Sequence, residues 1–106
     1  MALISKLQNE MLATLQEKLD AYMINHWLVM IHVNTTHMEM HHAIYPDDVL
    51  VTNSELLLSF NHFKLSVSFE EAEHFEIDYD EIDDGYYIML DDLEIYLDFQ
   101  HKDECN

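Results

Sequence analysis

The feature that most limits how this chain can fold is a change of hydrophobic period near Asn25. Up to that point Leu3, Leu7, Met11, Leu15, Leu19 and Met23 recur every four residues, with Ile4, Leu12 and Tyr22 widening the stripe. That spacing gathers apolar side chains on one side of a helix, and Gln8, Glu10, Gln16, Glu17 and Asp20 supply a polar side. No Gly or Pro interrupts the segment, and Asn25 suits the left-handed position that closes a helix. An amphipathic helix is expected over residues 1–25.

From His26 onward the period is two. The run WLVMIHV (27–33) is apolar and β-branched, as in a strand buried on both faces, and NTT turns it into HMEMHHAIY (37–45) as an antiparallel partner. Pro46, Asp47 and Asp48 make a loop, DVLVTN and ELLLSF join near Asn53 and Ser54, and Asn61 and His62 turn the chain into FKLSVSF. In that last run Leu65, Val67 and Phe69 alternate with Lys64, Ser66 and Ser68. Further on, Phe75, Ile77 and Tyr79 alternate with Glu76, Asp78 and Asp80, and Tyr86, Ile88 and Leu90 alternate with Tyr87 and Met89.

Two segments compete between periods. Ser68 and Glu71 have capping-box spacing, so residues 68–75 fit a helix start. Residues 91–102 read as a helix with acids first and His101 and Lys102 last, as the helix dipole prefers. Against that, Leu93, Ile95, Leu97 and Phe99 alternate strictly with Glu94, Tyr96 and Asp98, and β-branched and aromatic residues favour a strand. The sum is a single α+β domain over 1–106. One N-terminal amphipathic helix packs on an antiparallel sheet of about five to seven strands. Residues 26–69 form mixed-charge strands, and 70–106 form acidic strands and a tail.

Charge is the abnormal feature. The chain has 22 Asp and Glu against four Lys and no Arg, a net charge of −18. Small domains stay soluble with a net charge of roughly 2–8, and self-repulsion beyond that costs stability. The field is also localised: seven acids and three Lys precede Glu70, whereas fifteen acids and one Lys follow from it. A polyanion repels nucleic acid and acidic membranes, so its partners are basic proteins or cations.

The residues exclude several classes. No apolar run approaches a membrane span, and the N-terminus lacks a signal peptide's basic region and cleavage site, so the chain is expected in the cytosol. The one Cys, Cys105, builds neither a disulfide framework nor a thiolate cage. No Ser sits in a G-x-S-x-G elbow, and a single Gly leaves no phosphate-cradling loop. Carboxylate pairs are everywhere, so none stands out for acid–base work, and a deep sugar cleft has little room. The chain is expected to be no enzyme and to carry no cofactor.

The stretch FEIDYDEIDDGYY (75–87) packs carboxylates around that Gly and invites a calcium reading. With Gly85 at the sixth position of an EF-hand loop, Asp80, Ile82, Asp84 and Asp91 fall at the first, third, fifth and twelfth. Ile82 has no oxygen to donate and Asp91 is shorter than the usual Glu, so the motif fails. Asp84-Gly85 reads instead as a hairpin turn, with Gly adopting a positive φ.

A second candidate is His37, Glu39 and His41, which share one face of a strand and are chemically suited to Zn²⁺. Positions i and i+4 on a strand are about 13 Å apart, so a bulge or a ligand from a neighbouring strand is needed.

The remaining candidate is the charge array itself. Glu76, Asp78 and Asp80 form a row of anions about 6.6–6.8 Å apart, similar to successive phosphates on a DNA strand. Glu70, Glu71, Glu73, Glu81, Asp83, Asp84, Asp91, Asp92, Glu94 and Asp98 extend the field, and Tyr86 and Tyr87, with Tyr79 and Tyr96, offer stacking groups where bases would lie. In size, charge and this acidic segment, the chain resembles the small acidic inhibitors that phages and mobile elements use to imitate DNA. Anti-CRISPR proteins are their largest group, with restriction and uracil-glycosylase inhibitors beside them. The resemblance lies in composition and alternation, without an alignable motif, so it assigns no residue a role. It implies a partner among basic nucleic-acid-binding proteins, a Cas effector such as Cas9 or another defence nuclease, bound where DNA enters. It also implies a host-cell cytosolic setting and no direct binding to nucleic acid or membrane. The other reading is a metal-binding or structural accessory protein with an acidic interaction face.

Overall fold

In the computed structural model, which describes residues 4–60 and 63–99, helix α1 runs Lys6–Asn25. Ser5 starts it with a reciprocal capping box: its hydroxyl accepts from the Gln8 amide at 3.1 Å, and its own amide donates to Gln8 Oε1 at 2.9 Å. The closing left-handed residue is His26, at φ 58°, and not Asn25. The amide of His26 donates to the Met23 carbonyl and that of Trp27 to the Tyr22 carbonyl. This is a Schellman closure, and the Tyr22 and Trp27 rings meet edge-on at 5.3 Å across it. Asn25 ends the helical turns and donates from its side chain to the Ala21 carbonyl.

The buried line of α1 is Leu12, Leu15, Leu19 and Tyr22, whereas Leu7 is 67% exposed. A strict four-residue repeat advances about 40° per step beyond a full turn, so it winds round the helix instead of staying on one face. Leu7 has rotated off the buried face, and Leu12 and Tyr22 complete it.

Eight strands follow: β1 Val29–Asn34, β2 Glu39–Ile44, β3 Asp48–Val51, β4 Glu55–Phe60, β5 Phe63–Ser68, β6 Phe75–Asp80, β7 Gly85–Leu90 and β8 Leu93–Asp98. They form two antiparallel sheets, one of order β2-β1-β8-β7-β6 and one of order β3-β4-β5. The fold is α+β, with one N-terminal helix packed on antiparallel sheet. The helix, the larger sheet and the smaller sheet share one core, to which α1 contributes Leu15 and Leu19, the larger sheet Ile31, Ile88 and Leu97, and the smaller sheet Val49, Leu56 and Leu58. Burying each such side chain contributes about 1.5–3 kcal/mol.

Two glutamines tie α1 to a strand of each sheet. Gln8 Nε2 donates to the Phe75 carbonyl of β6 at 3.3 Å. Gln16 accepts from the Val51 amide and donates to the Val49 carbonyl of β3. β3 and β6 are end strands of their sheets, so the helix satisfies backbone groups that edges leave open.

Several expectations need correction. β1 alternates buried and half-buried residues, because only its inner face meets the core. Residues 69–74 form turns and loop instead of a helix start: the Ala72 amide donates to the Phe69 carbonyl, and the amides of Glu73 and His74 donate to the Asp91 carboxylate. That carboxylate holds the connection from outside, so Ser68 has no helix to cap. Gly85 has no positive φ; the left-handed residue of the β6–β7 turn is Asp84, at φ 51°. Residues 93–98 are a strand, as their alternation predicts, and Asp91 at φ 50° makes the turn into it. The expected Asn61–His62 turn, His101, Lys102 and Cys105 lie outside the described residues. No helix among the described residues is long and apolar enough to cross a membrane.

Candidate protein-interaction surface

The pairing register lays the outer face of the five-stranded sheet out in rows. One row is Glu76, Met89, Glu94, Asn34 and Glu39; the next is Asp78, Tyr87, Tyr96, His32 and His41; the third is Asp80, Gly85, Asp98, Met30 and Ala43. The inner face carries Ile77, Ile88, Ile95 and Val33 and closes the core. Alternation in the sequence therefore separates carboxylates and rings from the core, as a half-buried sheet requires.

The middle row is a line of rings. Tyr87 stacks on Tyr96 at 4.3 Å, Tyr96 tilts toward His32 at 5.8 Å, and His32 meets His41 edge-on at 4.4 Å. The Nδ1 atoms of His32 and His41 are in contact, and His41 Nε2 lies 2.5 Å from Glu39 Oε1. His37 sits in the turn before β2, away from this line. Among the described residues no group of three or more His, Cys, Asp or Glu side chains is placed to hold a metal ion, so Glu39 and His41 meet but His37 does not complete a metal-binding set with them.

The acidic residues divide into two sets. Asp84 pairs with Lys18 and accepts from the Tyr79 hydroxyl at 2.8 Å. Asp80 accepts from the amides of Ile82 and Asp83 and shapes the turn between β6 and β7. Asp91 caps the β5–β6 connection, and Asp98 is 8% exposed. These four serve the fold.

Glu70, Glu71, Glu73, Glu76, Asp78, Glu81, Asp83 and Asp92 are exposed, and Glu94 is half-buried. Most of the exposed set follows β6 from end to end, with Glu70, Glu71 and Glu73 before it and Glu81 and Asp83 after it. Six strand residues give this ridge a length of about 20 Å.

The electrostatics agree with the crowding. Repulsion from Asp80, then desolvation and a hydrogen bond to the same neighbour, raise the Asp83 carboxyl above its ordinary value. The Tyr79 hydroxyl is pushed up to about 12, first by its hydrogen bond to Asp84. Burial, followed by the Asp98 charge, pushes Tyr96 up to about 12. Both phenols stay protonated at neutral pH, and that of Tyr79 donates to Asp84.

The expected tyrosines have different fates. Tyr86 is 4% exposed and belongs to the core, where burial raises its hydroxyl, and it is not part of the outer ring row. Tyr87 and Tyr96 stand half-buried in the ring row. Tyr79 is on the inner side of β6 but lies at the sheet margin, with Lys18 Nζ 5.6 Å from its ring centre.

Sequence reading missed His32 and Lys18. Treating β1 as buried on both faces hid the first, while the second is revealed only when α1 crosses the β6–β7 turn. Comparison of the chain with protein-family models, with curated proteins and with solved structures finds no match.

Proposed function

We propose that the chain is a non-enzymatic inhibitor whose β6 ridge occupies the basic nucleic-acid channel of a host defence nuclease, with an RNA-guided Cas effector as the first candidate. One observation carries the reading. Glu70, Glu71, Glu73, Glu76, Asp78, Glu81 and Asp83 form a line of exposed carboxylates, and none of them is in an ion pair among the described residues. Lys18, which lies near the turn, is engaged with Asp84 instead. The ridge therefore presents uncompensated negative charge, and within it Glu76 and Asp78 have the roughly 6.6–6.8 Å spacing of alternate strand residues, close to that of phosphates.

A Lys- or Arg-lined channel is the complementary surface, and the attraction speeds encounter more than it tightens the final complex. The ring row beside the ridge adds flat π faces on which guanidinium groups stack. Binding that survives charge reversal at Glu76 and Asp78 would contradict the reading. So would binding that does not change with salt.

A further inference from the structure

β6 is an end strand of its sheet, and its backbone polarity can be read from its neighbours. The Asp91 amide donates to the His74 carbonyl, immediately before β6. Hydrogen-bonded pairs alternate along an antiparallel ladder, so Glu76, Asp78 and Asp80 direct their backbone groups to β7. Phe75, Ile77 and Tyr79 direct theirs to the open edge. Two of these groups have side-chain partners: the Phe75 carbonyl accepts from Gln8, and the Tyr79 amide donates to Asp78 Oδ1. Among the described residues the Ile77 amide and carbonyl have no hydrogen-bond partner.

Beside this edge lies a groove of about 630 Å³ between α1 and β6, walled by Leu7, Met11, Thr14, Tyr79 and Tyr86, with Glu10, Lys18 and Asp78 as its charged lining. From Leu7 to Lys18 the helix rises about 16 Å, enough to flank about five residues of extended chain. A strand laid along the edge sends alternate side chains to opposite faces. One set meets Glu76 and Asp78 on the outer face, and the other enters the groove, where Leu7 and Met11 are apolar.

We propose that β6 accepts an extended basic segment of the partner protein as an added strand, one in which Lys or Arg alternates with large apolar residues. A second copy of this chain is a poor occupant, because antiparallel pairing of two β6 strands would set carboxylate rows side by side. The inference rests on the reading of the ridge as a surface for a basic protein and adds to it main-chain pairing and an alternating register.

The test uses the full chain and three fluorescent peptides with the same number of Lys and Val residues. One alternates Lys and Val, one places the Lys in a block, and one alternates but carries N-methyl groups along one backbone edge. The alternating peptide is expected to bind about tenfold tighter than either of the others, a difference of about 1.4 kcal/mol. It is also expected to slow hydrogen exchange at the Ile77 amide. Leu7→Asn, at an exposed position in the groove wall, is expected to remove most of the preference for alternation. Equal affinity for all three peptides, or binding of none, overturns the strand-pairing proposal. Equal affinity leaves the electrostatic reading standing. That reading fails separately if the chain does not compete with DNA for a basic channel.

Discussion

The ring of Tyr96 occupies the space that a Cβ on Gly85 would need. The two lie on neighbouring strands, and Tyr96 is held over Gly85 by its stack on Tyr87. The chain's one Gly is thus required by close approach, while Asp84 beside it supplies the left-handed turn. Gly85→Ala is expected to destabilise the fold by about 1–2 kcal/mol, since the displaced group is the outer part of a half-buried ring. In a Tyr96→Ala background the same change should cost much less. Urea unfolding of the four proteins in the cycle measures the coupling.

Lys18 joins α1 to the β6–β7 turn through Asp84. Both side chains are partly solvated, so Lys18→Met is expected to cost only about 1 kcal/mol. The readout is a lower denaturation midpoint together with faster hydrogen exchange in the 81–84 turn. An unchanged exchange rate there would show that the pair does not anchor the turn.

The phenols give an alkaline signature. Tyr79 and Tyr96 are held at about 12, above the ordinary value of 10.0. A folded-state value above the unfolded one adds stability that is complete below pH 10 and declines as pH rises toward 12. Phenolate absorbance should therefore show Tyr79 and Tyr96 among the tyrosines that ionise late, with Tyr86 also raised by its burial. Asp84→Asn is expected to bring Tyr79 back toward its ordinary value and to leave Tyr96 late.

Asp83 gives an acid-side signature of the crowded turn. Its raised value means that the fold disfavours the ionised carboxylate relative to the unfolded chain. The associated stability is present below the ordinary carboxylate value and is lost as pH rises through the raised one. Asp83→Asn is accordingly expected to raise the denaturation midpoint at neutral pH and to leave it unchanged at about pH 3, below the ordinary Asp value. Equal effects at both pH values would remove charge repulsion as the cause.

Much of the fold was legible because alternation sorts residues between a core and water. Leu93, Ile95 and Leu97 identify β8 as a strand against the helix-like placement of Asp91 and Asp92. The charge imbalance between the two parts of the chain was equally visible. The partition into two sheets was not, because it depends on β8 inserting between β1 and β7, which leaves β6 at the margin. Nor could the sequence separate carboxylates that hold distant segments of the fold from those that only face water. Asp84 and Asp91 look like Glu81 and Asp92 until Lys18 and the amides of Glu73 and His74 arrive from distant segments. Gly85 suggested a turn, whereas its reason lies in a ring eleven residues away on the next strand.

The central claim is most directly tested by measuring binding to a panel of DNA-binding defence nucleases, each offered free and loaded with its DNA. The account predicts a complex with a DNA-free nuclease that is lost when DNA is already bound, and that weakens at least about tenfold as salt is raised. A complex that forms equally well on the DNA-loaded nuclease and ignores salt would contradict it.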